Sequence, residues 1–241
     1  MKLDDVLKRL QSLGTERNRA LFARRGARPP MHGVSAAHLG KLQQLIRRDH
    51  ALALQLWATR NHDARLLAAQ IADPEATTAA QLDGWARDAS PALGEAVASL
   101  AASGPLAHRC ADAWTESKAP GIAAAGWCVL ARLAATDPHF SDADLEQWLQ
   151  TIEQSLRRAP DRTRHAMNDA LIAIGLRNAK LAALALASAA RLGPVQVDHG
   201  DSDCRTPDAA ATIRRTLEER RARAHGPLAQ GPPVTASPAR R

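Results

Sequence analysis

Leu56 to Pro74 reads LWATRNHDARLLAAQIADP: a tryptophan, then an Asp-Ala-Arg triplet and a run of small apolar residues. Apolar residues recur here at three- and four-residue intervals, which predicts two successive helices. The same period continues along the chain while strand-like runs are almost absent, so the sequence predicts an all-α fold. Asp63 and Arg65 stand two residues apart, too close to pair on one helix face, where partners need a separation of three or four. Arg65 is therefore expected to turn to a concave face or a neighbouring repeat, and Asp63 to cap the start of its helix.

Working outward, Ser, Thr, Asp and Asn precede apolar-periodic segments, and Gly or Pro follows them. Helices are expected near residues 3–13, 16–25, 36–47, 50–59, 62–72, 79–88, 92–102, 105–116, 120–135, 142–158, 162–176, 179–192 and 207–223. Ser35, Thr78 and Ser141 read as N-caps. Thr206-Pro207-Asp208 reads as cap, first-turn proline and first-turn acid, and Gly14, Gly26 and Gly193 read as C-terminal stops. Many similar helices with short connections fit a bundle or an α-solenoid. Wide apolar stripes and helix-pair starts recurring about every forty residues favour a solenoid of HEAT-like repeats. Residues 1–224 are taken as that domain. Residues 225–241 form a basic tail rich in Pro, Ala and Gly that is expected to be disordered.

The 241 residues are 45% hydrophobic, enough for a sizeable core, yet include five Trp, two Phe and no Tyr. Ala and Leu dominate, so the core is expected to consist of closely spaced helices. Trp57, Trp85, Trp114 and Trp148 fall on apolar stripes and are expected inside. The net charge is +7, but Arg214 to Arg241 holds seven Arg against two Glu, leaving the body nearly neutral. Polyanion binding by the folded part would need a local patch. Two are visible: ERNRALFARRGARPP, with Arg17, Arg19, Arg24, Arg25 and Arg28, and SLRRAPDRTRH, with Arg157, Arg158, Arg162 and Arg164. No run of eighteen apolar residues is present, and the start MKLDDVLKRL carries two acids where a signal peptide would be apolar. A cytoplasmic protein without membrane contact is expected.

Cys110, Cys128 and Cys204 have no paired spacing and are expected to be reduced thiols. VDHGDSDC gathers Asp198, His199, Asp201, Asp203 and Cys204, but the spacing matches no zinc or calcium pattern. It is read as a structured turn in which Asp198 and His199 bond backbone groups, so no metal is expected. Phosphate loops, nucleophile elbows and His-Glu-x-x-His motifs are absent from the sequence, and no small-molecule cofactor is expected.

GVSAAHLGKLQQL (Gly33–Leu45), DHALALQLWATRNHDARLLAAQIADP (Asp49–Pro74) and the tryptophan of LDGWARD resemble, in order and spacing, the amino-terminal half of the AlkD-like DNA alkylation repair family. MNDALIAIGLRNAKLAALALASAARLGPVQVDHGDSDCRTPDA (Met167–Ala209) resembles the carboxy-terminal part of a bacterial subgroup. The resemblance implies a HEAT-like solenoid whose concave basic surface holds duplex DNA by its backbone. Family members that are glycosylases excise cationic alkylated purines. In them an aspartate follows the tryptophan helix, tryptophans flank the lesion, and an arginine comes from the next repeat.

This chain departs from that pattern. In WARDASPALGEAVASL the nearest carboxylate is Glu95, one residue out of register, and Ala92 stands where a tryptophan is expected. KAPGIAAAGWCVL holds no arginine, and Trp127 beside Gly126 is the one aromatic candidate for a surface role. The expectation is a DNA-binding protein of the alkylation-repair type, acting as a monomer on duplex DNA, with an altered catalytic constellation centred on Glu95. The candidate DNA contacts are Lys41, Arg47, Arg48, Arg65, Trp127 and Arg162. Glu95 is expected in the groove beside Trp85 or Trp127. The alternative is a HEAT-like protein-interaction scaffold without repair activity.

Overall fold

The computed structural model describes residues 1–200 and 204–224. The tail expected to be disordered lies outside them, as do Asp201 and Asp203. Among the described residues there are thirteen α-helices and no strand. They are α1 (Leu3–Leu13), α2 (Glu16–Arg24), α3 (Ala36–Ile46), α4 (His50–Ala58), α5 (His62–Ile71), α6 (Ala79–Arg87) and α7 (Pro91–Ala102), followed by α8 (Ala107–Thr115), α9 (Pro120–Thr136), α10 (Asp142–Ser155), α11 (Asp161–Gly175), α12 (Ala179–Leu192) and α13 (Ala209–Ala224). A 3₁₀ turn, Leu156–Arg158, extends α10.

The caps explain the sharp boundaries. Ser35, Asp49, Thr78, Ser141 and Asn178 each accept a backbone N–H at the start of their helix, and Thr78 with Gln81 forms a reciprocal capping box. Gly26 and Gly193 take positive φ at helix ends. Gly14 does not: its backbone is extended, and it is a glycine because a Cβ there would collide with the His32 carbonyl.

The odd-numbered helices α3, α5, α7, α9 and α11 pack in succession to form one layer. Helix α4 packs on α5, α6 on α7, α8 on α9 and α12 on α11, while α13 closes the far end against α11 and α12. This is the α-solenoid of HEAT-like repeats. One contiguous core runs from Val6 in α1 to Ile213 in α13. It is narrow because it is alanine-rich, and aromatic pairs supply its bulkiest contacts. Trp57 stacks on Trp85 at 4.1 Å between ring centroids, and Trp127 meets Trp148 edge-on at 5.4 Å.

The Asp-Ala-Arg triplet divides its work differently from the expectation. Asn61, not Asp63, caps α5, accepting from the N–H groups of Asp63 and Ala64. The fully buried Asp63 carboxylate accepts three consecutive backbone N–H groups, those of His32, Gly33 and Val34, at 2.6, 3.1 and 2.8 Å. Arg65 lays its guanidinium over Trp57, 4.8 Å from the ring centroid, and donates through Nε to the Trp57 carbonyl. At the other end Asp208 caps α13, accepting from Ala211, while Thr206 bonds the rings of His165 and His199.

Two outcomes follow. Replacing Asp63 with Ala leaves three buried N–H groups without an acceptor, and a loss of about 3 kcal/mol is expected, lowering the melting temperature by about 10 °C in a thermal scan. His62 is buried, and desolvation outweighs the attraction of Asp63 to hold its pKa below the ordinary 6.5. The unfolded chain therefore takes up a proton that the folded one refuses. Stability should be full above about pH 6.5 and fall as pH drops below it, and urea titrations should show a flatter dependence for His62→Gln.

Candidate nucleic-acid interface

The layer of odd-numbered helices presents a trough floored by small residues. One end, about 940 Å³, is lined by Gln43, Gln44, Arg47 and Arg48 from the end of α3, Gln70 from α5, Glu95 and Ser99 from α7, and Arg132 from α9. The other end, about 580 Å³, shares Glu95, Ser99 and Arg132 and continues to Arg162, His165 and Asp169 on α11. Alanines 124, 125, 131 and 135 keep the α9 part shallow and open.

The trough floor is not a uniform basic strip. Arg47, at the α3 C-cap, is exposed, and Arg48 is partly engaged with Asp73 at 3.2 Å. Arg132 is an exposed cation that sequence reading passed over, because it lies past the segment where an arginine was sought. Against these stand Glu95 and Asp169. Burial raises the Asp169 carboxyl above the usual range, the His165 ring opposes this and the charge of Glu95 adds to it. Burial also pushes the Cys128 thiol up to about 12, with Glu95 contributing. That thiol is protonated at neutral pH and is no nucleophile. Lys41 is exposed on α3.

Through Pro91 and Arg162 the trough joins a second cavity of about 770 Å³ at its rim, where α5, α7 and α11 begin. Arg28, Arg60, Arg65, Arg87 and Arg162 line it, with Asp88 as the one acid. Arg65 is only 13% exposed in its side chain and lies 3.7 Å from Asp88. Arg162 passes between Gly94 and Gly121 and donates to the carbonyls of Ala89 and Ser90 at 3.4 and 2.9 Å. Burial lowers the pKa of both Arg65 and Arg162. Thus Arg65 is a brace at the rim and not on the trough, whereas Arg162 lines both the end of the trough and the rim while bracing the start of α7.

The second arginine cluster is largely spent on the protein itself. Arg157 donates to the carbonyls of Arg191 and Leu192, and Arg164 to those of Ala159 and Gln196. At the opposite ends of the helices Arg177 closes the carbonyls of Ala134, Asp137 and Phe140, and Arg220 that of Leu176.

Trp127 does not face a partner. It is 3% exposed and turns away from the trough toward α10, where it borders a cleft between α8 and α10. The small residue beside it leaves no opening: a Cβ on Gly126 would sit 2.5 Å from the Thr115 nitrogen of α8. Trp85 is likewise buried under Trp57, so Glu95 points into the trough with neither tryptophan at its side.

A family model described as DNA alkylation repair enzyme matches residues 6–200. Uncharacterised proteins of Listeria innocua and Listeria monocytogenes are each 26% identical over 220 residues, covering 88% of this chain and 96% of theirs. A solved structure with a TM-score of 0.85 and 28% identity, covering 92% of this chain and 96% of its own, is described as a new family of proteins related to the HEAT-like repeat DNA glycosylases with affinity for branched DNA structures.

The brace at Arg162 is open to direct test. Arg162→Met removes two charge-assisted bonds that hold the start of α7, and urea unfolding should register a loss of about 2 kcal/mol. Stability equal to the parent would mean that the guanidinium does not hold α7.

Proposed function

Because the chain belongs to the DNA alkylation repair enzyme family, we propose that it binds duplex and branched DNA across its concave face and does so without excising bases. The observation that carries this reading is the open trough itself, along which Arg47, Arg48 and Arg132 stand on a floor of small residues. Phosphate contacts of this kind set affinity and orientation but carry no sequence information. The affinity for branched DNA of the structural neighbour, 28% identical over nearly the whole chain, supports the same partner.

Excision of a cationic base requires a fixed carboxylate to stabilise oxocarbenium character and aromatic faces to hold the lesion. Glu95 is an exposed side chain on a trough floor of Ala and Ser, and the tryptophans expected to flank it are in the core. Asp169 is nearer to being fixed, 3.5 Å from the His165 ring, but burial raises its carboxyl above the ordinary range and so works against the charged form that excision needs. The chain acts as a monomer in this reading, since the exposed large apolar residues among the described ones, Met1, Leu45, Leu54 and Leu184, lie on different segments. No described helix is long and apolar enough to cross a membrane. In this reading it is the DNA partner that puts the protein in the cytoplasm.

Binding to a duplex followed by fluorescence anisotropy should weaken steeply with salt, with a logarithmic slope of about −3 to −5, and Arg47→Gln with Arg132→Gln should flatten it by about 2. A duplex carrying methylated purines should release no base above the uncatalysed rate. Release that Glu95→Gln abolishes would overturn the second half of the proposal. Absence of DNA binding at low salt would favour the protein-interaction scaffold, for which the nearly neutral body speaks.

A further inference from the structure

The rim cavity differs from the trough in shape as well as charge. Its volume of about 770 Å³ lies within the roughly 300–1,000 Å³ of small-ligand sites. A double helix cannot enter such a space, whereas one or two nucleotides can. Its floor is half-buried and rigid. Arg65 is pinned to Trp57, and Arg162 is held between Gly94 and Gly121, each with guanidinium N–H groups left for a ligand.

Its mouth carries Arg28, Arg60 and Arg87, whose side chains make no hydrogen bond or ion pair among the described residues. Arg87 is near enough to Asp83 to help depress its carboxyl but does not contact it. The α7 N-cap Ser90 contributes no capping bond, and its buried Oγ has no hydrogen-bond partner among the described residues. Five guanidinium groups against the single carboxylate of Asp88, around an unused hydroxyl, form a surface complementary to an anion. Planar N–H forks match phosphate oxygens.

The wall supplies no exposed aromatic surface on which a base would stack: His62, the one aromatic ring in its lining, is buried. The ligand is therefore gripped by its phosphate and not by its base.

We propose that this cavity takes a phosphate on an unpaired DNA strand, either a strand's terminal phosphate or the backbone where a strand leaves its duplex at a branch. The inference rests on the DNA-binding reading of the concave face and adds a second site to it. A duplex lying in the trough directs a departing strand over the rim at Pro91 and Arg162, the two residues shared by trough and cavity.

The test compares four probes by anisotropy: a linear duplex and a duplex with a single-stranded 5′ flap, each with a 5′-hydroxyl or a 5′-phosphate. The parent protein is set against Arg60→Gln/Arg87→Gln, which alters two exposed side chains without partners and is checked for an unchanged melting temperature. The parent should bind a flapped duplex about tenfold more tightly than the linear one, and the double variant should lose that preference while holding linear duplex within about twofold. A preference present only with the 5′-phosphate assigns the cavity to a terminal phosphate, and one that persists with 5′-hydroxyl assigns it to backbone at the branch. Equal binding of flapped and linear DNA by the parent, or equal weakening of both in the variant, overturns the inference and leaves the DNA-binding reading standing. Binding of neither overturns both.

Discussion

A single carboxylate ties the first layer of the solenoid to the rest. The segment from His32 to Val34 runs between α2 and α3 with three successive N–H groups turned inward, and Asp63 at the start of α5 accepts all three. Gly33 takes positive φ so that its neighbours' N–H groups converge, and its carbonyl in turn receives Thr15 N–H and the Asn18 side chain. The His62 amide donates to Pro30. Helices α1 and α2 carry few buried residues of their own. They are held in place by this run of polar contacts more than by area, and they bring Arg28 to the rim.

Helix positions were legible in the sequence because local chemistry sets them. Caps such as Ser35, Thr78 and Ser141 act on N–H groups two or three residues away, so a short window contains both partners. The roles of Asp63 and Thr206 were not legible, because the partners of Asp63 lie about thirty residues away and one of those of Thr206, His165, about forty. Trp127 was misplaced for a related reason. A glycine beside a large ring reads as vacant space, whereas in a layered helical protein it is where a neighbouring backbone crosses, here that of α8 at Thr115.

The candidate site was legible in its composition and not in its geometry. Of the residues that sequence reading singled out, Arg47, Arg48 and Glu95 line the trough. Arg60 and Arg87 drew no notice because each is one arginine in an ordinary helix-end context. Only the repeat stacking brings the starts of α5, α7 and α11 to one place, and these two arginines with them. The dense SLRRAPDRTRH cluster drew notice and mostly serves helix ends instead, where guanidinium groups satisfy carbonyls that no backbone N–H can reach.

The stacking also gives the molecule an electrical asymmetry that its net charge conceals. Helix dipoles do not supply it, because each odd-numbered helix packs against a neighbour that runs back the other way, so positive and negative helix ends meet at the same edge and their fields largely cancel. Side chains do: five guanidinium groups gather at the rim around the one carboxylate of Asp88. A polyanion at a distance of a Debye length or less experiences a torque that turns the rim toward it before any contact forms. The asymmetry therefore acts on the rate and angle of encounter, and a body with almost no net charge is steered as though it were strongly basic on one edge.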